Sequence, residues 1–529
     1  MLLRFILGDN MTLRQVSNRM IDGAAISVLD FGAKGDGITN DAQAFIDAFA
    51  YASDNNIGTV DIGSATYVVG GNDYDLRLYP PSNVYIKSNN ATLKMQENSA
   101  QLQMLLYYRN VTNCGILGHI NFDGNRDNNP PIDVNDLGQN NLVIGHGTEN
   151  AYFESVYSYS AAQDAIYLGT NGSASNPTPK SIAIGKAICE SAGRNGMSLC
   201  QVAGLTIDYL ETRYTIGSAP QAGLDIEPDF YTDQLNGVVI DNLVTHGNAG
   251  AGLGTLIHHP VNQTGVTINR IECHGNGTNG VEFFRGNGIK ILSGRIHSNT
   301  DSGVYIANAK DIKICAEIYN NGSPGILGAP TDYFWDESPH NGPAYVEYRN
   351  WNWDFSGCKI QNNDALGNVQ LQGVDDTAVG SLRNVNLDNC YIANDRPGGT
   401  LNAQYALYIG SDVNDYKGQA QLSSGTTGIL AVSSDNTYGF IHREKYVEDI
   451  TFTDTNIVAN SGSTQTFVIP YHHQPDLIAS SLHSNLPTGL VYQVYSYGNT
   501  QIAVKVMNVT GADISSGDLS LRLEITHTY

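Results

Sequence analysis

The stretch AGLDIEP at 222–228 sets two carboxylates, Asp225 and Glu227, one residue apart between apolar Leu224 and Ile226. A strand sends alternate side chains to opposite faces, so the two apolar residues share one side and the two acids the other. A third acid falls into the same frame when the chain is aligned on the small residue that opens each apolar strand: Ala165, Gly196, Gly223, Gly252, Gly280 and Gly303. The column that follows reads Ile166, Met197, Leu224, Leu253, Val281 and Val304, and two residues later come Leu168, Leu199, Ile226, Thr255, Phe283 and Ile306. Both of these are expected to face a core. Between them, facing out, stand Tyr167, Ser198, Asp225, Gly254, Glu282 and Tyr305.

Paired acids on one wall can supply a protonated carboxyl and a carboxylate together, which is what general acid–base catalysis needs. A solvated strand face would alternate in the same way, yet it has no use for a bare Gly254 between two acids. With neighbouring strands about 4.8 Å apart, the backbones of Asp225 and Glu282 should stand roughly 9–10 Å apart, with Glu227 about 7 Å along the strand from Asp225. Tyr167 and Tyr305 should flank the hollow, and Arg285 is expected to leave the same strand as Glu282. These three are candidates for holding a substrate. His258, at the end of the GLGTLI strand, is a further candidate for binding or for service as a base.

Such a column requires elements that repeat. From about 180 to 320 the first apolar residue of each repeat falls at 182, 205, 238, 266, 289 and 312, giving spacings of 23, 33, 28, 23 and 23. These are coil lengths for a parallel β-helix, whose short strands are separated by Asn/Gly bends and stack on the preceding turn. Right-handed winding is the rule for parallel crossovers. The 56 glycines, the 15% of charged residues and the Asn/Ser/Thr-rich bends fit an all-β chain with little helix.

Composition excludes several partners. The 28 basic and 52 acidic residues leave a net charge of −24, which disfavours nucleic acid and anionic membranes. No run approaches the ~18 apolar residues of a membrane span. The opening MLLRFILGDN lacks a small-residue cleavage site, so no signal peptide is expected. Seven cysteines without CxxC pairs read as small buried thiols rather than a disulfide or zinc framework. No cofactor or metal is expected. Asp123, Asn125 and Asp127 have the spacing that begins a calcium loop, but Asn128 stands where that loop needs Gly.

The segment ISVLDFGAKGDGITNDAQAFIDAFAYA at 26–52, followed by GTVDIGSATYVV at 58–69, resembles the opening of the pectate-lyase-like superfamily of right-handed β-helix proteins, and of bacteriophage tailspikes in particular. There a short strand, a Gly-Asp loop and a capping helix, here over 41–53, begin the β-helix. Asp36 and Asp41 read as turn and first-helical-turn residues. Near the end, Ile502/Val504/Val506 and Leu519/Leu521/Leu523/Ile525 alternate as antiparallel strands do. Their cadence is similar to the small C-terminal β-sandwich of many tailspikes.

The resemblance implies three parts: a lead-in over 1–25, a parallel β-helix catalytic domain over 26–438, and a C-terminal β-sandwich over 439–529 for trimerisation or carbohydrate binding. It implies a homotrimeric spike in the virion tail that binds and cleaves a bacterial capsular or O-antigen polysaccharide. Because little precedes residue 25, attachment to the virion is expected through a removed N-terminal region or a virion adaptor protein. The leading expectation is endo-acting glycoside hydrolysis with inversion. Glu282 would be the acid, desolvated by Phe283 and Phe284, and Asp225 the base, assisted by Glu227; exchanged roles fit nearly as well. The alternatives are a polysaccharide lyase using His or Tyr with Arg285, and a non-catalytic adhesin. All three tryptophans fall in 332–355, an insertion expected either to stack on sugars or to plug a trimer interface.

Overall fold

A computed structural model describes residues 25–72, 76–100, 103–130, 139–170, 176–228, 230, 232–257, 264–329 and 351–363, and beyond 366 chiefly the strands named below. The chain is built of parallel β-coils, and the described residues hold one α-helix. The coils divide into two compact units, Met1–Asn171 with Ser175–Gly193 and Gly172–Ala174 with Arg194–Tyr529.

In the first unit helix α1 (Ala42–Asp54) follows the Gly-Asp loop, one residue later than expected. Ala42, Phe45, Ala48, Phe49 and Ala52 form its buried stripe at helical spacing, and Phe45 meets Tyr67 edge-on at 5.1 Å. Asp41 occupies the N-cap position, where its carbonyl accepts from Phe45 N at 3.2 Å but its side chain does not bond the helix. Its carboxylate instead accepts from Lys34 N (2.6 Å) and Gly35 N (3.0 Å), while Asn40 Oδ1 accepts from Ala42 N (2.9 Å). Asp36 closes the turn before it by accepting from Ile38 N and Thr39 N at 2.9 and 2.7 Å. Long strands Tyr85–Met95, Thr112–Asp123, Glu149–Tyr159 and Lys180–Glu190 pair in parallel, as do the short strands Leu106–Tyr108, Leu142–Ile144 and Ile166–Leu168.

The second unit repeats the pattern with more coils. Its long strands Val202–Arg213, Leu235–His246 and Thr264–His274 pair in the expected frame, Leu205 with Val238 and Val238 with Val266. After that each long strand splits in two, as in Ile289–Ile291 and Gly294–His297. Gly294 opens the second half with a φ of +132°, so close to the preceding coil that a Cβ would lie 1.9 Å from Ile271 O. The short strands Met197–Leu199, Leu224–Ile226, Leu253–Leu256, Val281–Phe284, Val304–Ala307 and Ile326–Gly328 pair one to the next in parallel.

The interior is apolar, as the two inward columns require. Met197, Leu224, Leu253, Val281, Val304, Leu199, Ile226, Phe283 and Ile306 are all fully buried. The glycine column has a steric cause. A Cβ at Gly252 would meet Cys273 Sγ and Asn276 Nδ2 at 2.7 Å, and one at Gly280 would meet Asn299 Nδ2 at 2.6 Å.

Those amides belong to a feature that spacing alone did not disclose, a buried asparagine ladder. Asn248, Asn276, Asn299 and Asn321 stand four residues before Gly252, Gly280, Gly303 and Gly325, and Asn363 continues the row. Each of the first four donates Nδ2 to the Oδ1 of the next at 2.8–2.9 Å, and that same Oδ1 accepts the donor residue's own backbone N–H. Asn276 and Asn321 sit in N-x-S/T sequons and are wholly buried rungs. The seven cysteines are free and all but Cys315 are buried, as expected of small core thiols; Cys273, Cys358 and Cys390 donate to backbone carbonyls of the coils at 3.0–3.2 Å.

The tryptophan expectation needs correction for Trp353. The regular coil resumes at Trp351–Asp354, and Trp353 is fully buried, its Nε1 donating to Ala309 O at 2.9 Å. That ring is core. Trp335 lies outside the described residues. The alternating C-terminal runs are antiparallel strands as expected, but they lie in two sheets. Gln501–Asn508 pairs with Gly462–Val468 and Leu490–Ser496, whereas Ile514–Thr528 pairs with Ile441–Ile457 and Asp476–Leu482.

Candidate active site

The strand register of the second unit brings Ser198, Asp225, Gly254, Glu282 and Tyr305 into one outward column on five successive coils. Asp225 and Glu282 are therefore two coils apart with Gly254 between. A methyl group at Gly254 would sit 3.8 Å from Asp225 Oδ1 and 3.6 Å from Ala222 Cβ, with no other contact inside 4 Å. The space above Gly254 thus holds no other side chain within 4 Å, and the Asp225 carboxylate borders it.

The column does not lie open along its length. Ser198 is fully buried and Asp225 is 3% exposed, whereas Gly254, Glu282 and Tyr305 are half-buried. Asp225 is thus no solvated strand residue. An unpaired carboxylate at that depth would be costly, and the chain supplies partners from one turn. Asn195 Nδ2 donates to Asp225 Oδ2 at 2.8 Å, and Arg194 Nη2 stands 3.3 Å from Glu227 Oε2 and 4.0 Å from Asp225 Oδ2. A guanidinium and an amide donor both favour the ionised carboxylate.

Glu282 is held by the same device. Asn279 Nδ2 donates to its Oε2 at 2.9 Å. Asn195 and Asn279 each precede a column glycine, and each sends its amide N–H to the column side chain three residues on, Asn195 to Ser198 Oγ at 3.1 Å. Each also accepts a backbone N–H from the following coil, Ala222 N and Ser302 N, both at 3.1 Å. An Asn-Gly pair at the strand entrance thus fixes both acids to the coil backbone. The signal was present in the sequence as Asn195-Gly196 and Asn279-Gly280, and reading Asn/Gly only as bends passed over it. Arg194 was likewise missed.

Tyr305, one coil beyond Glu282, has its phenol pushed up from the ordinary value, chiefly by burial and also by the charge of Glu282. It stays a neutral hydrogen-bond donor beside the hollow.

Three expectations are corrected. Arg285 does not leave the strand toward solvent; its φ of +61° turns the chain, and it is 1% exposed with its guanidinium 5.1 Å over the Phe284 ring. Phe283 points into the bore, opposite to Glu282, and so cannot desolvate that acid. Tyr167 belongs to the first unit, where its strand pairs with Leu142–Ile144, and it is 1% exposed, leaving no ring face for a sugar. His258 lies outside the described residues.

No protein-family model and no curated protein matches the chain. Solved structures do. The A-module of the mannuronan C-5 epimerase AlgE6 from Azotobacter vinelandii superposes with a TM-score of 0.52 at 18% identity, covering 79% of this chain and 99% of that one. The AlgE4 A-module from the same organism gives 0.52 at 17%, covering 78% and 100%. A mutant tailspike protein of E. coli bacteriophage HK620, in complex with a pentasaccharide, gives 0.44 at 11%, covering 95% and 93%. The chain has the right-handed parallel β-helix fold that its opening segment resembles. At these identities the likeness is one of fold, and the chemistry rests on the site.

Proposed function

We propose that the protein is a tailspike-type depolymerase that binds a bacterial capsular or O-antigen polysaccharide and cleaves it by endo-glycosidic hydrolysis. The observation that carries this reading is the Asp225–Gly254–Glu282 column, two acids facing one hollow, each tied by an asparagine. Asp225, with the Asn195 amide and the Arg194 guanidinium beside it, serves as base and activates water, with Glu227 helping to hold Arg194. Glu282, on the open side, serves as acid at the glycosidic oxygen, and Tyr305 donates to the sugar. Two coils of separation, roughly 9–10 Å between backbones, leave room for the water that inversion requires.

The fold supports a polymer substrate, since an extended chain can lie along a stack of coils, and the fold's likeness to mannuronan epimerase modules agrees with that. The resemblance of the opening segment to tailspikes supports a virion-associated homotrimer. In that reading residues 26–438 are the catalytic β-helix, and the two antiparallel sheets within 439–529 pack as a sandwich. The test is incubation with capsules from a panel of bacterial strains, followed by mass spectrometry of the fragments. New reducing ends with saturated sugars support hydrolysis. Unsaturated, ultraviolet-absorbing ends would replace it with β-elimination, and unchanged polymer length would leave an adhesin.

A further inference from the structure

The longer sheet of the second unit carries a second column that the hydrolytic reading does not use. Arg213, His246, His274, His297 and Tyr319 occupy one position on five successive coils. The imidazoles stack with centroids 5.1 Å apart and planes within 10°, and His297 stacks on Tyr319 at 4.7 Å. Ring faces are therefore spent on one another. What remains for a ligand is a line of half-buried edges, and these are not equivalent: Arg213 and His246 face Glu211, His297 is held between Glu272 and Ser298 Oγ (3.1 Å), and the edge of His274 is open.

The flanking charges balance. The adjacent outward column reads Glu211, Val244, Glu272, Arg295 and Glu317, followed by Lys359. Glu211 pairs with Arg213 at 2.5 Å and faces His246 Nε2 at 3.5 Å, with the Tyr209 hydroxyl on its other oxygen at 2.9 Å. Glu272 pairs with Arg295 at 2.8 Å and with His297 Nε2 at 3.1 Å. Three acids (Glu211, Glu272, Glu317) meet three bases (Arg213, Arg295, Lys359), so with neutral imidazoles the strip has no net charge. Each proton taken up then adds one positive charge on a chain whose total is −24. His274 differs from its neighbours: among the described residues neither of its ring nitrogens has a hydrogen-bond partner.

We propose that this column is a second sugar-binding strip, which takes an acidic oligosaccharide lying along the coil stack and holds a carboxylate at the open ring edge of His274 once that imidazole carries a proton. A face-stacking neutral sugar does not fit, because the ring faces are covered. Carboxylates fit, because the open His274 edge can give a charge-assisted donor, with Arg213 in the same column and Arg295 in the adjacent one. On a chain of net charge −24, the strip, neutral before it takes up a proton, is where acidification makes the local charge positive.

The test is isothermal titration of the full chain with a purified oligogalacturonate, against a neutral maltooligosaccharide of equal length, at about pH 5.5 and about pH 7.5. Acidification should tighten oligogalacturonate binding at least about 5-fold, the lower range of a linked equilibrium, and leave the neutral sugar unbound. His274→Gln should abolish most of that gain. His274→Lys, with a fixed charge in the same place, should bind at about pH 7.5 as the wild type does at about pH 5.5. Equal affinity at the two pH values, equal binding of the neutral sugar, or a folded His274→Lys protein with no gain at the higher pH would overturn the proposal.

Discussion

Glu282→Gln separates the catalytic reading from a merely solvated face. The substitution keeps the side-chain shape and removes only the charge and the ability to give up a proton. The Asn279 amide at 2.9 Å can still donate to the Gln carbonyl oxygen. A charge-assisted hydrogen bond of about 1.5–3 kcal/mol thus becomes a neutral one of about 0.5–1.5. Since Glu282 is only half-buried, solvent screening reduces the difference to about 1 kcal/mol or less. Loss of a general acid costs about 10²–10⁴ in rate, which at about 1.36 kcal/mol per tenfold is roughly 2.7–5.4 kcal/mol of barrier. The rate effect should therefore exceed the stability effect severalfold. Reducing ends released from a cleaved capsule measure the first, and urea unfolding followed by circular dichroism measures the second. Normal turnover by the variant would refute the role of Glu282, and so would an activity loss fully accounted for by unfolded protein.

Other expectations follow from the same contacts. Asp225→Asn should lower turnover by at least ~10²-fold with the polymer still bound; because Asp225 is buried rather than exposed, the change should not stabilise the fold. Asn195→Ala strips Asp225 of its 2.8 Å donor and leaves Ala222 N–H without its acceptor, so unfolding free energy should fall by about 2–5 kcal/mol in a urea titration. Gly254→Ala should fold and bind normally, since its methyl meets only ordinary contacts, whereas Gly254→Phe should fill the hollow and abolish polymer binding in a pull-down. The His274 imidazole is held below its ordinary value of 6.5, first by burial and then by His246 and His297. The unfolded chain therefore binds the proton first as pH falls. Stability should be flat above about 6.5 and decline below it as pH drops toward the lower native value, and His274→Gln should flatten that decline in unfolding curves taken across the window.

The coil repeat and the outward column were legible because both follow from the two-residue alternation of a strand and from spacings that a register must respect. Once Leu205, Val238 and Val266 share a phase, every later position on those strands is fixed, and the observed pairing repeats those spacings. Depth was not legible. Ser198 and Asp225 face away from the bore yet are buried, and alternation says which way a side chain points, not what lies over it. Arg285 failed for a related reason: it stands one residue past Phe284, where a left-handed backbone ends the alternation, and the Gly286-Asn287-Gly288 run that marks the bend does not say that it begins one residue earlier. The histidine column is present in the sequence as THG, CHG and IHS at matching positions, but a histidine in such a frame has no chemistry specific enough to single it out without the stacking that the register creates.

The asparagines join the two questions of stability and chemistry. A coil must turn at each corner, and at a turn the backbone N–H and C=O groups lose their sheet partners, which in a buried position is costly. Asn supplies both a donor and an acceptor on one short side chain, and in the ladder the left-handed step of the corner falls one residue earlier, at Gly247, Gly275, Ser298, Asn320 and Asn362. In the ladder from Asn248 to Asn363 both functions are spent on the neighbouring coils, and the result is packing. At Asn195 and Asn279 the acceptor still serves the next coil's backbone while the donor is turned onto Ser198, Asp225 or Glu282. The candidate site is then a corner motif of the fold with one hydrogen bond redirected. Its acids inherit their positions from backbone register, so their separation is set by the coil stack itself rather than by loop conformation.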